Sequence, residues 1–264
     1  MRVGVTLPQF REDPEPAFAV ARAAEGAGLD GVFVFDHLWP LRQPERPALH
    51  SLTLLGALSA ETERVMLATF TARVSLLPNA VLVHSLVSLH RMLGPRFIAG
   101  LGTGDRHNRD ENVAYGVGFP PADARARDLE TCCRELSAAG VRTWVGGNSP
   151  LARRIATADA DGWNAWGVSI DEFRSNAASV PAGSGGSTEL SWGGQVLIGR
   201  TRAEAAAKLE RHGTRPGLVH GTVDDLRRHF GALEAAGASW AICSPLDIGD
   251  DEGAVDLLAQ AQRE

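Results

Sequence analysis

Ionisable side chains follow several apolar runs of the chain at the point where each run ends. Asp36 and His37 come directly after the run 30–35 (DGVFVF). The imidazole of histidine titrates nearest to neutral pH, and a neighbouring carboxylate can orient it. His37 is therefore a candidate for moving a proton or placing a substrate, with Asp36 beside it. A capping pair at the start of a loop explains the same dipeptide without any chemistry.

A glycine-rich block, GLGTGDRHN, begins at Gly100 and places further glycines at Gly102 and Gly104, followed by Asp105 and Asn108. Its spacing departs from the G-x-G-x-x-G of dinucleotide-binding loops, so a Rossmann-type site is not indicated. Two interpretations stay open. The glycines form a tight turn that needs positive φ, or they let the backbone approach a flat ligand closely.

A third block, Gly146-Gly147-Asn148-Ser149, precedes a helical pattern in which Pro150 suits the first turn. Free amide groups at the start of a helix attract anions, so this segment is a candidate phosphate site. An ordinary helix cap would explain Ser149 equally well.

The elements that must position these residues alternate along the chain. Apolar runs predict about eight strands, at 2–7, 30–35, 65–70, 96–101, 142–145, 162–166, 194–199 and 239–243. Helical spacing follows them at 14–28, 51–62, 79–93, 122–139, from 149, at 170–179, 201–212, 222–237 and 251–263. The stretch 181–188 is predicted to be a loop.

Continuous apolar strands joined by helices are typical of a parallel sheet. Eight such units in about 250 residues match a (β/α)8 TIM barrel, here predicted as a single α/β domain over 1–264. An open doubly wound sheet is the runner-up, but it would need a glycine-rich loop after the first strand. The sequence there, 8–11, is PQFR.

Composition limits the function classes. The formal net charge is −6, which disfavours nucleic acid or an anionic membrane as the main partner. No apolar run approaches the roughly 20 residues of a membrane span, and no signal peptide is expected. Cys132, Cys133 and Cys243 make a poor disulfide framework, and no metal-ligand spacing is found, so we expect a cytoplasmic protein without a metal. The single lysine, Lys208, lies in a polar helical run, which disfavours Schiff-base chemistry.

The order of these segments resembles the luciferase-like monooxygenase superfamily, and particularly its branch that depends on the deazaflavin coenzyme F420. The most specific segments are FDHLWP at 35–40, GLGTGDRHNRDE at 100–111 and VGGNSPLARRIATADADGWN at 145–164. The resemblance covers 2 to about 245. It implies a TIM barrel with a flavin-like cofactor at the carboxyl ends of the strands, and hydride transfer between F420 and a small organic substrate.

The resemblance also implies roles for individual residues. His37 lies near the reactive face of the deazaflavin, with Asp36 orienting it or lying beside it, and Asp105 takes the place of a glutamate that acts as an acid. Backbone at Gly146, Gly147 and Asn148 holds the cofactor phosphate. A strand-end bulge backs the ring, often with a non-proline cis peptide. The remaining cofactor contacts are Thr69, Phe70, Thr71, Gly102, Thr103, Gly104 and Asn108.

The chain also departs from the family. It is short, the region 181–195 and the run after Arg211 are trimmed, and 89–96 (LHRMLGPR) differs from the usual pattern. Three alternatives therefore stay open: an FMN-dependent monooxygenase of the same fold, a non-catalytic flavin-binding protein and, disfavoured by its lack of clustered ligands, a metal-dependent hydrolase. A homodimer is also left open.

Overall fold

A computed structural model describes residues 1–180, 188–250 and 253–263. Within them, strands and helices alternate almost throughout. The strands are β1 (Arg2–Thr6), β2 (Gly31–Val34), β3 (Met66–Thr69), β4 (Ala72–Arg73), β5 (Phe97–Gly102), β6 (Thr143–Gly146), β7 (Gly162–Trp166), β8 (Glu189–Gly199), β9 (Val219–Thr222) and β10 (Trp240–Pro245). The α-helices are α1 (Glu15–Ala27), α2 (Ser51–Glu61), α3 (Asn79–Leu93), α4 (Arg109–Ala114), α5 (Ala122–Ala138), α6 (Pro150–Asp159), α7 (Ile170–Ala177), α8 (Arg202–His212), α9 (Val223–Ala235) and α10 (Gly253–Arg263).

The sheet is a closed parallel barrel. Its strands follow the order β10, β1, β2, β3, β5, β6, β7 and β8, and β8 pairs again with β10. Each βα unit buries its strand on both faces, which explains the continuous apolar runs in the sequence. The TIM-barrel prediction is confirmed and the open doubly wound sheet is wrong. That 1–264 form a single domain stays a prediction.

Aromatic rings fill the inside of the barrel. The buried interior cluster consists of Phe33, Ala68, Phe70, Ile98, Trp144, Trp240 and Ile242. Glycines on neighbouring strands make room for these rings, since a Cβ atom on Gly162 would lie 2.4 Å from Cδ1 of Trp144. A second, larger apolar cluster lies between the strands and the surrounding helices. The barrel is therefore a packed core, and a ligand site has to lie above it.

The structure differs from the sequence-based elements at β8 and β9. The predicted strand 194–199 begins five residues earlier, and β9 was missed entirely. The early part of β8 contains polar residues and two glycines, so its apolar signal is weak, yet Ser191 to Val196 pair with β10. β9 pairs only with Val196–Gly199, the end of β8. Of the predicted loop 181–188, all but Thr188 lies outside the described residues, as do 251–252 of the last helix.

Two further findings concern the surroundings of the barrel. No helix in the described ranges is both long and apolar enough to cross a membrane. The three cysteines are free and buried.

Candidate active site

A cavity of about 460 Å³ opens at the carboxyl ends of the barrel strands. This volume lies within the ~300–1,000 Å³ typical of small-molecule sites. Twelve of the predicted site residues line it, namely Asp36, His37, Phe70, Thr71, Gly102, Thr103, Gly104, Asp105, Asn108, Gly146, Gly147 and Asn148. Thr69 does not: its buried hydroxyl donates to the carbonyl of Gly100 at 2.7 Å. The lining residues outside the prediction are Phe35, Leu41, Arg73, Ser149, Ala152, Asn164 and Trp166.

The wall of the cavity at the end of β3 is a bulge. β3 ends at Thr69, the Phe70–Thr71 peptide bond is cis, and the chain then pairs again with β5 as β4. The expected bulge with its non-proline cis peptide is thus confirmed. Phe70 and Thr71 both face the cavity.

Three glycines on neighbouring strands surround this bulge. A Cβ atom would lie 2.1 Å from the carbonyl oxygen of Thr69 if placed on Gly100, and 2.5 Å from Oγ1 of Thr71 if placed on Gly102. On Gly146 it would lie 2.6 Å from Cγ2 of Thr71. Gly100 and Gly102 are therefore required by packing against the bulge, a reason that neither sequence interpretation included. Only Gly104 of the glycine-rich block has the positive φ (65°) of a turn.

A buried arginine organises the base of the site. The Arg73 side chain is 2% exposed, and its Nε donates to Oδ2 of Asp36 at 2.9 Å while Nη1 donates to Oε2 of Glu111 at 2.7 Å. The Arg73 amide also donates to Asp36 Oδ2, and Nη1 lies 3.1 Å from Oδ1 of Asn112. Burial would lower the pKa of Arg73, but the two carboxylates raise it. One cation thus holds two buried anions together.

Glu111, and not Asp36, is the carboxylate that contacts His37. Its Oε2 lies 3.2 Å from Nδ1 of His37, and its Oε1 accepts a hydrogen bond from the Leu38 amide. Burial would raise the pKa of Glu111, but the hydrogen bonds from His37 and Arg73 lower it to about 2. An ionised carboxylate only accepts hydrogen bonds, so Nδ1 of His37 carries a proton. This leaves Nε2 for a ligand and corrects the role predicted for Asp36, which instead binds Arg73.

Asp105 and Asn108 form a small capping box beside His37. The Asp105 carboxylate accepts from the His107 amide at 2.8 Å, and the Asp105 amide donates to Oδ1 of Asn108 at 2.8 Å. Nδ2 of Asn108 lies 3.5 Å from Nδ1 of His37. The expectation that His37 and Asp105 face one cavity is confirmed. Asp105 is exposed and already serves as a cap, and its role as an acid stays a prediction.

The segment before α6 differs from the predicted phosphate cradle in one respect. The Gly147 amide donates to the carbonyl of Asn164 at 3.0 Å, so it belongs to the barrel and is not free. The Asn148 side chain is bound in both directions to the backbone of Trp166. The hydroxyl of Ser149 caps the Ala152 amide at 3.1 Å. In the described part of the chain, the amides of Asn148, Ser149 and Leu151 have no protein acceptor.

Sequence reasoning missed Arg73 and Glu111. Arg73 is the one charged residue in the stretch 65–83, where an isolated charge in apolar surroundings was an available signal. Glu111 was the last residue of a segment that resembles the family, but no pattern indicated that it would reach a histidine 74 positions away.

The carboxylate of Glu111 gives a prediction about acid stability. Its pKa is lowered from 4.5 to about 2 on folding, so its contribution is present above about pH 4.5 and is lost as pH falls toward 2. We expect Glu111→Gln to flatten the fall of the free energy of unfolding in this window, measured by denaturant titration at several pH values. Glu15→Gln, at an exposed ion pair with Arg22, should retain the wild-type pH dependence. An unchanged slope in Glu111→Gln would contradict the assignment.

A family model described as luciferase-like monooxygenase matches residues 1–242. The chain belongs to the luciferase-like monooxygenase family. Among curated members, the F420-dependent glucose-6-phosphate dehydrogenase of Nakamurella multipartita is 30% identical over 191 residues, 62% of this chain and 55% of the relative. The chain thus spans about half the length of the curated relatives that it matches.

Solved structures of luciferase-like proteins have the same fold. An F420-dependent secondary alcohol dehydrogenase in complex with an F420–acetone adduct superimposes with a TM-score of 0.80 at 13% identity, covering 100% of this chain and 99% of its own. The oxygenating constituent of a type II Baeyer–Villiger monooxygenase from Pseudomonas putida, in complex with FMN, gives 0.76 at 14% identity, covering 100% and 97%. At these identities the likeness concerns the fold alone.

Proposed function

We propose that this luciferase-like protein is an oxidoreductase that moves a hydride between coenzyme F420 and a small organic substrate. The observation that carries the proposal is one cavity that joins the bulge at Phe70–Thr71, a histidine held by a buried carboxylate, and three free amides at a helix start. The curated relatives named as F420-dependent dehydrogenases support the choice of cofactor.

The residues present fit a flat ring that carries an anionic chain. The amides of Asn148, Ser149 and Leu151 would hold the phosphate, because the start of α6 concentrates unpaired N–H groups. Phe70 and Thr71 would support one face of the ring. Further cofactor contacts are proposed for Asp36, Gly102, Thr103, Gly104, Asn108, Gly146 and Gly147. When bound, the deazaflavin supplies a carbon centre that accepts or gives a hydride.

The chain's own residues manage the proton that accompanies the hydride. With Nδ1 donating to Glu111, His37 presents Nε2 toward a substrate oxygen, where it would accept a proton from a hydroxyl in one direction of the reaction and return it in the other. Arg73, itself held by Asp36, fixes Glu111 from behind, and the Glu111 side chain is 1% exposed. Asp105 is proposed as a second proton carrier nearer to solvent.

Cofactor titration tests the proposal. We expect purified protein to bind F420 more tightly than FMN, measured by fluorescence quenching of each cofactor separately. Tighter binding of FMN would favour the monooxygenase alternative. F420 binding without turnover across a panel of alcohols and ketones would favour a non-catalytic binding protein.

Gly147→Ala should weaken F420 binding in the same titration by about tenfold. Gly147 has φ 139°, and a Cβ there would lie 3.1 Å from Cβ of Ala152, so the turn that aims the free amides must shift. Gly140→Ala is the matched control, because Gly140 also has positive φ (73°) but is remote from the lining, with nothing within 4 Å of its added Cβ. Equal F420 affinity in the two variants would contradict an anion site at the start of α6.

The proposal also covers the cellular compartment of the protein and the kind of partner that it binds. Three free buried cysteines fit a reducing compartment, so we propose the cytoplasm. The net charge of −6 supports a small molecule over nucleic acid as the partner. A homodimer stays a prediction.

A further inference from the structure

The floor of the cavity is aromatic. Phe35, Phe70 and Trp166 pack against one another with ring centroids 5.4 to 6.0 Å apart, and all three line the cavity. Leu41 lines the mouth and is 51% exposed. These four residues, the apolar wall, offer contact to a hydrophobic body and carry no charge themselves.

Further apolar side chains lie near Leu41 in the sequence and against that segment. Trp39 packs on Tyr115 with ring centroids 5.6 Å apart, joining the segment after β2 to the end of α4. Tyr115 is 56% exposed and Val113, on the same short helix, is 62% exposed. Apolar side chains therefore extend from the segment of Leu41 to the end of α4.

No arginine or lysine of the described lining residues is available to hold an anionic substrate. Arg73 is the only arginine or lysine among the described lining residues, and it is buried between Asp36 and Glu111. The segments 181–187, 251–252 and 264 contain no Lys, Arg or His in the sequence. Binding of a phosphate group relies on arginine, lysine or helix-start amides. The amides at the start of α6 are already assigned to the cofactor, and the exposed carboxylate of Asp105 would repel a phosphate dianion.

We propose that the site takes an uncharged alcohol or ketone with an apolar body, and not a phosphorylated sugar. This inference rests on the proposed function. In the oxidation, the C–H bond of the alcohol carbon breaks as its hydride passes to oxidised F420. The hydroxyl proton passes to Nε2 of His37, and the carbon–oxygen bond becomes the carbonyl of a ketone. The reverse reaction consumes the same hydride and proton.

A matched pair of probes tests the preference. F420-loaded protein is titrated with cyclohexanol, cyclohexyl phosphate and glucose 6-phosphate, with binding followed by ligand-observed NMR. We expect cyclohexanol to bind at least about tenfold more tightly than either phosphate. Equal or tighter binding of either phosphate, or no binding of cyclohexanol up to its solubility, would overturn the inference. Failure of F420 itself to bind is seen beforehand in the cofactor titration, and it counts against the proposed function instead.

Variants at Leu41 separate the effect of charge on substrate binding from the effect of side-chain shape. Leu41→Lys supplies a cation at the mouth, and Leu41→Gln is the neutral control of similar length; the exposure of Leu41 makes both compatible with folding. Both should weaken cyclohexanol binding, and only Leu41→Lys should strengthen binding of cyclohexyl phosphate, by about tenfold. Unchanged phosphate binding in Leu41→Lys would show that the missing cation is not what selects the substrate.

Discussion

Replacement of His37 with alanine is expected to lower turnover by about 10²–10⁴-fold while F420 binding stays close to that of the wild type. The variant removes a side chain whose Nδ1 is held by Glu111 and whose Nε2 is left available to a substrate oxygen. The decisive measurement is the rate of F420 reduction at saturating cofactor, together with the dissociation constant from fluorescence quenching.

Two companion variants make this result specific. Asp105→Asn keeps an oxygen that can accept from the His107 amide, so it isolates the proton of Asp105 from its capping role. Glu111→Gln should retain His37 but shift the pH profile of turnover, because a neutral amide no longer fixes the proton on Nδ1. Wild-type turnover in His37→Ala would end the assignment, and wild-type turnover in Asp105→Asn would leave Asp105 as a cap alone.

Replacement of Arg73 with methionine is expected to cost about 3–5 kcal/mol of the free energy of unfolding. Methionine fills much of the space, but the carboxylates of Asp36 and Glu111 then lie buried without their cation. Removing the cation from buried carboxylates lowers the free energy of unfolding far more than removing one partner of an exposed ion pair does. The free energy of unfolding from a denaturant titration measures the effect.

Arg127→Met is the matched control. Arg127 pairs with Asp123 on the surface of α5, and both side chains are about 70% exposed. Water replaces such a partner readily, so we expect a change far smaller than that of Arg73→Met. Similar losses in the two variants would mean that Arg73 contributes packing and not charge.

The barrel could be predicted from the sequence because each of its strands is indicated by a short local pattern. Runs such as DGVFVF at 30–35 show buried strands directly, and polar residues at their carboxyl ends indicate where a cavity opens. Hence His37, Asp105 and Asn148 were placed together without coordinates. Thr69 is an exception. It stands at the end of β3, but its side chain donates to the carbonyl of Gly100 on β5 and does not line the cavity.

The features that could not be predicted depend on contacts between segments that are distant in the sequence. Arg73 meets Glu111 across 38 positions, and no periodicity encodes such a pair. The Gly147 amide was unavailable because Asn164, on the next strand, accepts from it. β9 was missed because it is short and pairs only with the far end of β8.

Gly100, Gly102 and Gly146 surround the bulge at Thr71. The substitutions that one strand tolerates there therefore depend on the residues of the neighbouring strands. A methyl group at Gly146 conflicts with Cγ2 of Thr71, so serine at position 71 would relieve it. The same methyl group at Gly102 conflicts with Oγ1, which serine retains. At Gly100 the obstacle is backbone, and no side-chain change removes it. In laboratory evolution of this cavity wall, we therefore expect substitutions at Gly146 to be tolerated only after Thr71 has changed. Substitutions at Gly100 are expected not to be tolerated, whatever the order of the other changes.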